Sequence, residues 1–205
     1  MLPLTKIVFA SDNPGKIREV ADIFADLNIS LVPQKEFAVE SPEETGTTFT
    51  DNALIKARCA SARSGLPAMA DDSGIVVDAL DGRPGVWSAR YAGEAATDEQ
   101  NVDKLLEELA NVPDEQRGGG FHCAAVLVFP EGNSTPLIVE AVWRGKILRE
   151  RLGDGGFGYD PVFLDPPSGM TGAQMTRDEK NRVSHRGKAF RELKNRLLQG
   201  QQLQQ

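Results

Sequence analysis

The segment Lys6-Ile7-Val8-Phe9-Ala10 is a short apolar run cut off by Asp12-Asn13-Pro14-Gly15, and beyond it the apolar positions change period. Ile17, Val20, Ala21, Phe24 and Leu27 follow the i, i+3, i+4, i+7 spacing of one helix face. Asn13 suits the cap and Pro14 the first helical turn, so the spacing predicts strand, tight turn, helix. Leu31 and Val32 begin a second predicted strand. A chain with this unit is constrained to cover a sheet with helices.

The rest of the chain keeps to that plan. A helix is expected over Thr50 to Ala62, with Ala53, Ile55 and Ala57 among its small or apolar positions. Ala68-Met69-Ala70 and Ile75-Val76-Val77 read as strands on either side of a polar step, Asp71-Asp72-Ser73-Gly74. Thr97-Asp98-Glu99-Gln100 has the form of a capping box, followed by an apolar stripe at Val102, Leu105, Leu106, Leu109 and Val112. Phe121 to Phe129 and Leu137 to Trp143 are β-rich and joined by Pro130-Glu131-Gly132-Asn133, a predicted hairpin. A last helix is expected from near Ser184, with Phe190, Leu193 and Leu197 facing inward. Helices and strands interleave at both ends while the middle is more purely β, which predicts an α/β fold with a mixed, twisted sheet.

Composition excludes several function classes. The 205 residues suffice for a buried core, and no apolar run approaches the roughly 20 residues that span a bilayer, so no membrane partner is expected. The net charge of −7 lacks the basic footprint of a nucleic-acid binder, and no nucleic-acid partner is expected. A small anionic ligand needs only a local cluster of donors and a metal ion. The N-terminus shows neither a basic leader nor a small-residue cleavage site, and Cys59 and Cys123 have no metal-ligand spacing. The expectation is a cytoplasmic chain with two buried thiols.

Four segments carry chemistry. Ser11-Asp12-Asn13-Pro14-Gly15-Lys16 combines N–H groups at a helix start with a hydroxyl, an amide and an ammonium, all suited to a phosphate chain. An ordinary, well-capped βα turn with a solvated lysine fits the spacing equally well. It is not a Walker loop, because Ile17 follows the lysine. Asp71-Asp72 and Glu43-Glu44 offer hard carboxylate oxygens of the kind magnesium takes one or two of, although acidic doublets are commonly solvated loops. What favours function at Asp71-Asp72 is that Ser73-Gly74 and the apolar flanks suggest a tightly held turn.

Gly153-Asp154-Gly155-Gly156-Phe157-Gly158 matches the dinucleotide fingerprint formally, but Tyr159-Asp160-Pro161-Val162-Phe163 reads as extended chain where that motif requires a helix. Its glycines would let a ligand approach, and Phe157 could stack on a base or pack in the core. Lys180 with Ser184-His185-Arg186-Gly187-Lys188 groups several hydrogen-bond donors, though a lone histidine near a helix start is more often surface or cap chemistry. Trp87, Trp143 and Tyr91 are assigned to core or interface.

In this order the segments resemble the inosine triphosphate pyrophosphatase family. The matching stretches are Ser11 to Lys16; Glu44-Thr45-Gly46 with Thr48-Phe49, Asn52-Ala53 and Lys56-Ala57; Ala70 to Gly74; Pro84-Gly85-Val86; Ser88 to Tyr91; Gly156 to Pro161; and Ser184 to Gly187. Asp51 replaces a common Glu and Ser11 a common Thr, each keeping its functional group. The resemblance implies one elongated, two-lobed domain over residues 1–200 with a central active cleft, followed by a Gln-rich tail, 201–205. It implies a homodimer that hydrolyses ITP, dITP and XTP to the monophosphate and pyrophosphate with Mg2+, clearing deaminated purines. Ser11, Asp12, Asn13, Pro14, Gly15, Lys16 and Lys56 would handle the phosphates, and Ser73 would contact the nucleotide. Glu44 and Asp72 would hold the metal, with Asp72 also the general base. Phe157, Gly158, Tyr159, Asp160, Lys180, His185 and Arg186 would enclose the base. Against this stand a pyrophosphatase for pyrimidine or ordinary nucleotides, a binding-only regulator and a nucleic-acid module.

Overall fold

A computed structural model describes residues 4–130 and 135–202. Strand β1 (Lys6–Phe9) lies parallel to β2 (Ser30–Pro33) and to β3 (Ala68–Val77), with Val8 opposite Val32 on one side and Ala68 on the other. The sheet continues through β4 (Gly118–Val128), β5 (Leu137–Ile147), β6 (Phe163–Asp165) and β7 (Met170–Thr171), in the order β2-β1-β3-β4-β5-β6-β7. β5, β6 and β7 pair antiparallel, so the sheet is mixed as the chain pattern predicts.

The helices are α1 (Pro14–Phe24), α2 (Phe49–Ser64), α3 (Asp98–Glu108), α4 (Arg177–Val183) and α5 (His185–Gln202). The chain divides into two compact units. The first holds residues up to Asp72, Cys123–Ala141 and the chain from Arg186 on; the second holds Ser73–His122 and Val142–His185.

In the first unit, alternation along β1 separates two cores. Ile7 and Phe9 pack with Val20 and Phe24 of α1, Met69, and Phe190 and Leu193 of α5, with Phe9 and Phe190 edge to face. Val8 and Ala10 face the opposite way, onto Ala53, Ala57 and Ala60 of α2 and Ala68 and Ala70 of β3. In the second unit, Val102, Leu105 and Leu109 of α3 pack on Ile75, Val77, Phe121, Trp143 and Phe163, and the Thr97–Gln100 capping box is present.

Several expectations are corrected. Ala68 to Val77 is one uninterrupted ten-residue strand, so Asp71-Asp72-Ser73-Gly74 is neither a turn nor a strand end. Ala21 is exposed, and the buried face of α1 runs through Glu19, Val20 and Phe24, because Glu19 has a buried cationic partner. Strand β4 begins at Gly118, earlier than expected from a glycine run with little strand propensity. The glycine at 119 is required by close approach within the sheet: a Cβ there would sit 2.8 Å from the Val76 carbonyl oxygen. Asp160–Val162 form a single 3-10 turn ahead of β6 rather than extended chain. α4 is an additional helix, although its Thr176–Glu179 capping box is legible in the sequence. α5 continues to Gln202, into the segment assigned to a tail. Glu131-Gly132-Asn133 of the expected hairpin lie outside the described residues, as do Met1-Leu2-Pro3 and Leu203-Gln204-Gln205.

Among the described residues no helix is long and apolar enough to cross a membrane. The packing predicts unequal sensitivities within the second unit. Leu105→Ala should cost roughly 2–5 kcal/mol, the range for a fully buried leucine. Thr97→Ala, which removes only an exposed cap, should cost about 1 kcal/mol. Urea denaturation of the two variants checks the order.

Candidate active site

The Ser11–Lys16 segment makes the turn its sequence predicts. Asn13 caps α1, its Oδ1 accepting from the amides of Gly15 (2.8 Å) and Lys16 (3.1 Å), and Pro14 opens the helix. Those two amides therefore already have an acceptor. What the turn offers a phosphate is side chains together with the remaining backbone, rather than a ring of open N–H groups. Ser11 Oγ accepts from the Asn13 amide, while Asp12 takes hydrogen bonds from Gln34 and Ser41. Lys16 reaches Asp71, 3.0 Å away.

Adjacent residues of a strand point to opposite faces, and this separates the acidic doublet. Asp71 shares its face with Met69 and turns toward Lys16 and Arg186. Asp72 shares its face with Ala68 and Ala70 and turns toward α2. There Lys56 Nζ donates to Asp72 Oδ1 (3.0 Å) and Glu44 Oε1 (2.6 Å), and Asn52 Nδ2 donates to Asp72 Oδ2 (3.3 Å).

Asn52 carries a second bond, accepting from the Gly46 amide at 2.8 Å. A Cβ at Gly46 would lie 2.6 Å from the same Asn52 oxygen, so a glycine is needed where the Glu44 loop meets α2. Asn52 stands in the family pattern without a role there, and it is the site residue that sequence reasoning missed. Its signal is that Asn52 and Lys56 are one turn apart on a helix face otherwise made mostly of buried alanines.

The electrostatics follow from burial. Desolvation raises the Asp72 pKa above the usual carboxylate value, Lys56 opposes that rise, and nearby Glu44 adds to it. Burial would lower the Lys56 pKa, but Asp72, Glu44 and Asp71 together hold it above the usual lysine value. Among the described residues no group of three or more His, Cys, Asp or Glu side chains stands ready to hold a metal. A two-carboxylate set is nonetheless what magnesium commonly takes from a protein. Glu44 and Asp72 fit it: both converge on one cation, here the Lys56 ammonium, and a second positive charge would ease the ionisation of Asp72.

Arg186, at the start of α5, is buried and spans two carboxylates. Nη1 donates to Glu19 at 2.6 Å, and Nε and Nη2 each donate to Asp71 Oδ2 at 3.2 Å. Burial alone would lower the Arg186 pKa, but Asp71 and Glu19 outweigh it and push the value further up. Glu19, Arg186, Asp71 and Lys16 thus form a chain of alternating charge in which the expected base-side arginine is held by carboxylates.

In the second unit, Asp160 organises the glycine-rich loop. Its Oδ2 accepts from the Phe157 amide (2.8 Å) and from Lys180 Nζ (2.5 Å), and that ammonium lies 4.6 Å from the centre of the Phe157 ring. Gly156 and Gly158 have φ of +73° and +60°, and a Cβ at Gly156 would collide with Asp160. Tyr159 is buried and donates to the Ser88 carbonyl at 2.8 Å, and burial raises its pKa. His185 is neither a surface nor a cap residue. It is buried and stacked on Phe121, 4.8 Å between ring centres with the planes 11° apart. Ser73 is half-buried in β3. Of the three aromatics assigned to core or interface, Trp143 and Tyr91 are core residues, and Trp87 is exposed with the Arg90 guanidinium over its ring. Cys123 is buried; Cys59, expected buried, is partly exposed, and neither is in a disulfide.

The buried charge chain makes a stability prediction. Arg186→Met would leave Glu19 and Asp71 without their shared cation, and such a loss costs roughly 3–5 kcal/mol. Urea denaturation should show this, with a smaller loss for Lys16→Met, whose ammonium is partly exposed.

Comparison with known proteins places this arrangement. The model of the Ham1 family matches residues 7–196. A protein named dITP/XTP pyrophosphatase from Yersinia pestis is 53% identical over 188 residues, spanning 92% of this chain and 95% of that one. One of the same name from Pectobacterium atrosepticum is 51% identical over 194 residues, spanning 95% and 98%. The structure of a HAM1 protein from Coxiella burnetii superposes with a TM-score of 0.88 at 46% identity, covering 96% of this chain and all of that one. A match over nearly the whole length, at this identity, establishes that the chain belongs to the Ham1 family.

Proposed function

We propose that this chain hydrolyses the deaminated purine nucleoside triphosphates ITP, dITP and XTP to the monophosphate and pyrophosphate. The observation that carries the reading is the buried Asp72 carboxylate, set between Lys56 and Asn52 beside Glu44. It occurs in a chain half identical to proteins named dITP/XTP pyrophosphatase.

Water attacks the α-phosphorus in line and the β,γ-pyrophosphate leaves, a reaction that needs positioning and charge neutralisation more than covalent chemistry. Asp72 orients the water and accepts its proton. Asn52 and Lys56 hold that carboxylate in place, and Lys56 opposes the rise in its pKa, while Lys16 and Lys56, with Ser11, Asp12, Asn13, Pro14 and Gly15, handle the phosphate chain. Glu44 and Asp72 would hold Mg2+, which when bound supplies additional neutralisation of phosphate charge. Ser73 contacts the nucleotide.

Base choice follows from donors. Phe157 offers a face for stacking, and Gly158, Tyr159, Asp160, Lys180, His185 and Arg186 complete the surroundings. Hypoxanthine and xanthine present O6 as an acceptor, whereas adenine presents an amino group. Against donors, that amino group is desolvated and unpaired, at about 1–3 kcal/mol per lost bond. The same reading makes the enzyme a cytoplasmic homodimer that clears altered nucleotides, with neither nucleic acid nor membrane as partner.

Purified protein incubated with magnesium and, separately, ITP, XTP, GTP or ATP should release monophosphate and pyrophosphate from the first two and leave the others nearly untouched. Diphosphate plus orthophosphate would place attack at the γ-phosphorus and refute the mechanism. Asp72→Asn should lower turnover on the order of 10²–10⁴-fold while its circular dichroism stays that of the parent. Near-full activity in that variant would remove Asp72 from the role. Chelation of divalent cations should abolish turnover, and restored magnesium should return it.

A further inference from the structure

The loop that carries Phe157 is fastened near both ends to α3, a helix with no part in the chemistry above. Upstream, Arg151 donates from Nη2 to the Glu99 carbonyl (3.0 Å) and pairs with Asp103 (2.8 Å). Downstream, the Gly158 amide donates to Asp98 Oδ2 at 2.7 Å, a bond between positions 60 residues apart.

Asp98 is the first residue of α3, and an acid there ordinarily serves its own helix. In α3 the cap is already complete, because Thr97 Oγ1 accepts from the Gln100 amide and Gln100 Oε1 from the Thr97 amide. The Asp98 carboxylate is turned instead toward the loop.

Two successive loop amides therefore end on two carboxylates, Phe157 on Asp160 and Gly158 on Asp98. Asp160 belongs to the loop itself and is tied by Lys180 to α4, whereas Asp98 holds the next amide from α3. The segment between has Gly153, Gly155, Gly156 and Gly158, three of them at positive φ; the Gly155 amide is held by the Ala173 carbonyl at 3.0 Å, and the glycines beyond it would have many alternatives to lose on binding if Gly158 were released. Fixing the Gly158 amide fixes the backbone that aims the Phe157 ring.

We propose that Asp98 is a positioning residue for base recognition: by holding the Gly158 amide it preorganises the Phe157–Asp160 loop, setting substrate affinity and purine discrimination without contacting the reacting atoms. The proposal rests on the reading of that loop as base-enclosing. Preorganisation of a binding loop is read in KM, since the α-phosphorus and Asp72 are untouched by it.

Steady-state kinetics of wild type, Asp98→Ala and Asp98→Asn on ITP and GTP provide the test, with hydrogen exchange of the loop measured without nucleotide. For Asp98→Ala the expected result is a KM for ITP raised about tenfold and kcat within about twofold of the parent. The ratio of kcat/KM for ITP over GTP should fall, and exchange at residues 156–159 should quicken. Asp98→Asn keeps an acceptor oxygen without the charge and should recover part of the KM. An unchanged KM overturns the proposal, as does a loss of kcat at constant KM. Unchanged loop exchange overturns it whether or not ITP is a substrate. Wild-type protein that turns over none of the purine triphosphates would strike the functional reading itself, which separates the two failures.

Discussion

Two carboxylates side by side in the middle of a buried strand are tolerable only if each has its own cation, and β3 achieves this through the pleat. Asp71 and Asp72 project to opposite faces, so one meets Lys16 and Arg186 while the other meets Lys56. Much of the first unit is arranged around this. α1 supplies Lys16 and Glu19, one turn apart; α5 supplies Arg186; α2 supplies Lys56 and Asn52. Arg186 and Lys56 each serve two carboxylates, so removing either is far costlier than losing a surface pair. The strand is thereby a wiring point: a shift of one residue in its register would exchange the two faces and separate every pair.

The second unit solves a different problem with similar parts. A glycine-rich loop has little preference of its own, and here Asp160 supplies order by accepting from the Phe157 amide and the Lys180 ammonium at one oxygen. Lys180 is in turn set over the Phe157 ring. Aromatic face, ammonium and carboxylate then constrain one another, and α3 adds the external fastening through Asp98 and Arg151.

What the sequence made legible was periodic or locally capped. The first βα unit, the α3 stripe behind Thr97 and the inner face of α5 all follow from spacing, because burial of a repeating face leaves a repeating pattern. Strand β3 reads as two pieces in the sequence because Asp71-Asp72-Ser73-Gly74 has the composition of a turn; tertiary ion pairs override propensity there. Glu19 is invisible for the same reason, since its burial depends on Arg186, far away in the chain. His185 escapes local pattern because stacking on Phe121 joins residues that such a pattern cannot bring together. Of the site, residue types and order were legible, and the pairings that give each type its role were not.

The fully buried apolar residues of α2 are all alanines, Ala53, Ala57 and Ala60, packed against Ala68 and Ala70. A helix with so little bulk beneath it can lie close to the strand, and only at that range do Asn52 and Lys56 reach Asp72 by hydrogen bonds of ordinary length. Larger side chains at those alanines would make a helix more apolar by every local measure, and yet they would act as shims that lift two polar groups off their carboxylate. The reach of the polar residues is thus calibrated by methyl groups that never touch a ligand, and the tolerance of the site is set by the smallest side chains in its neighbourhood.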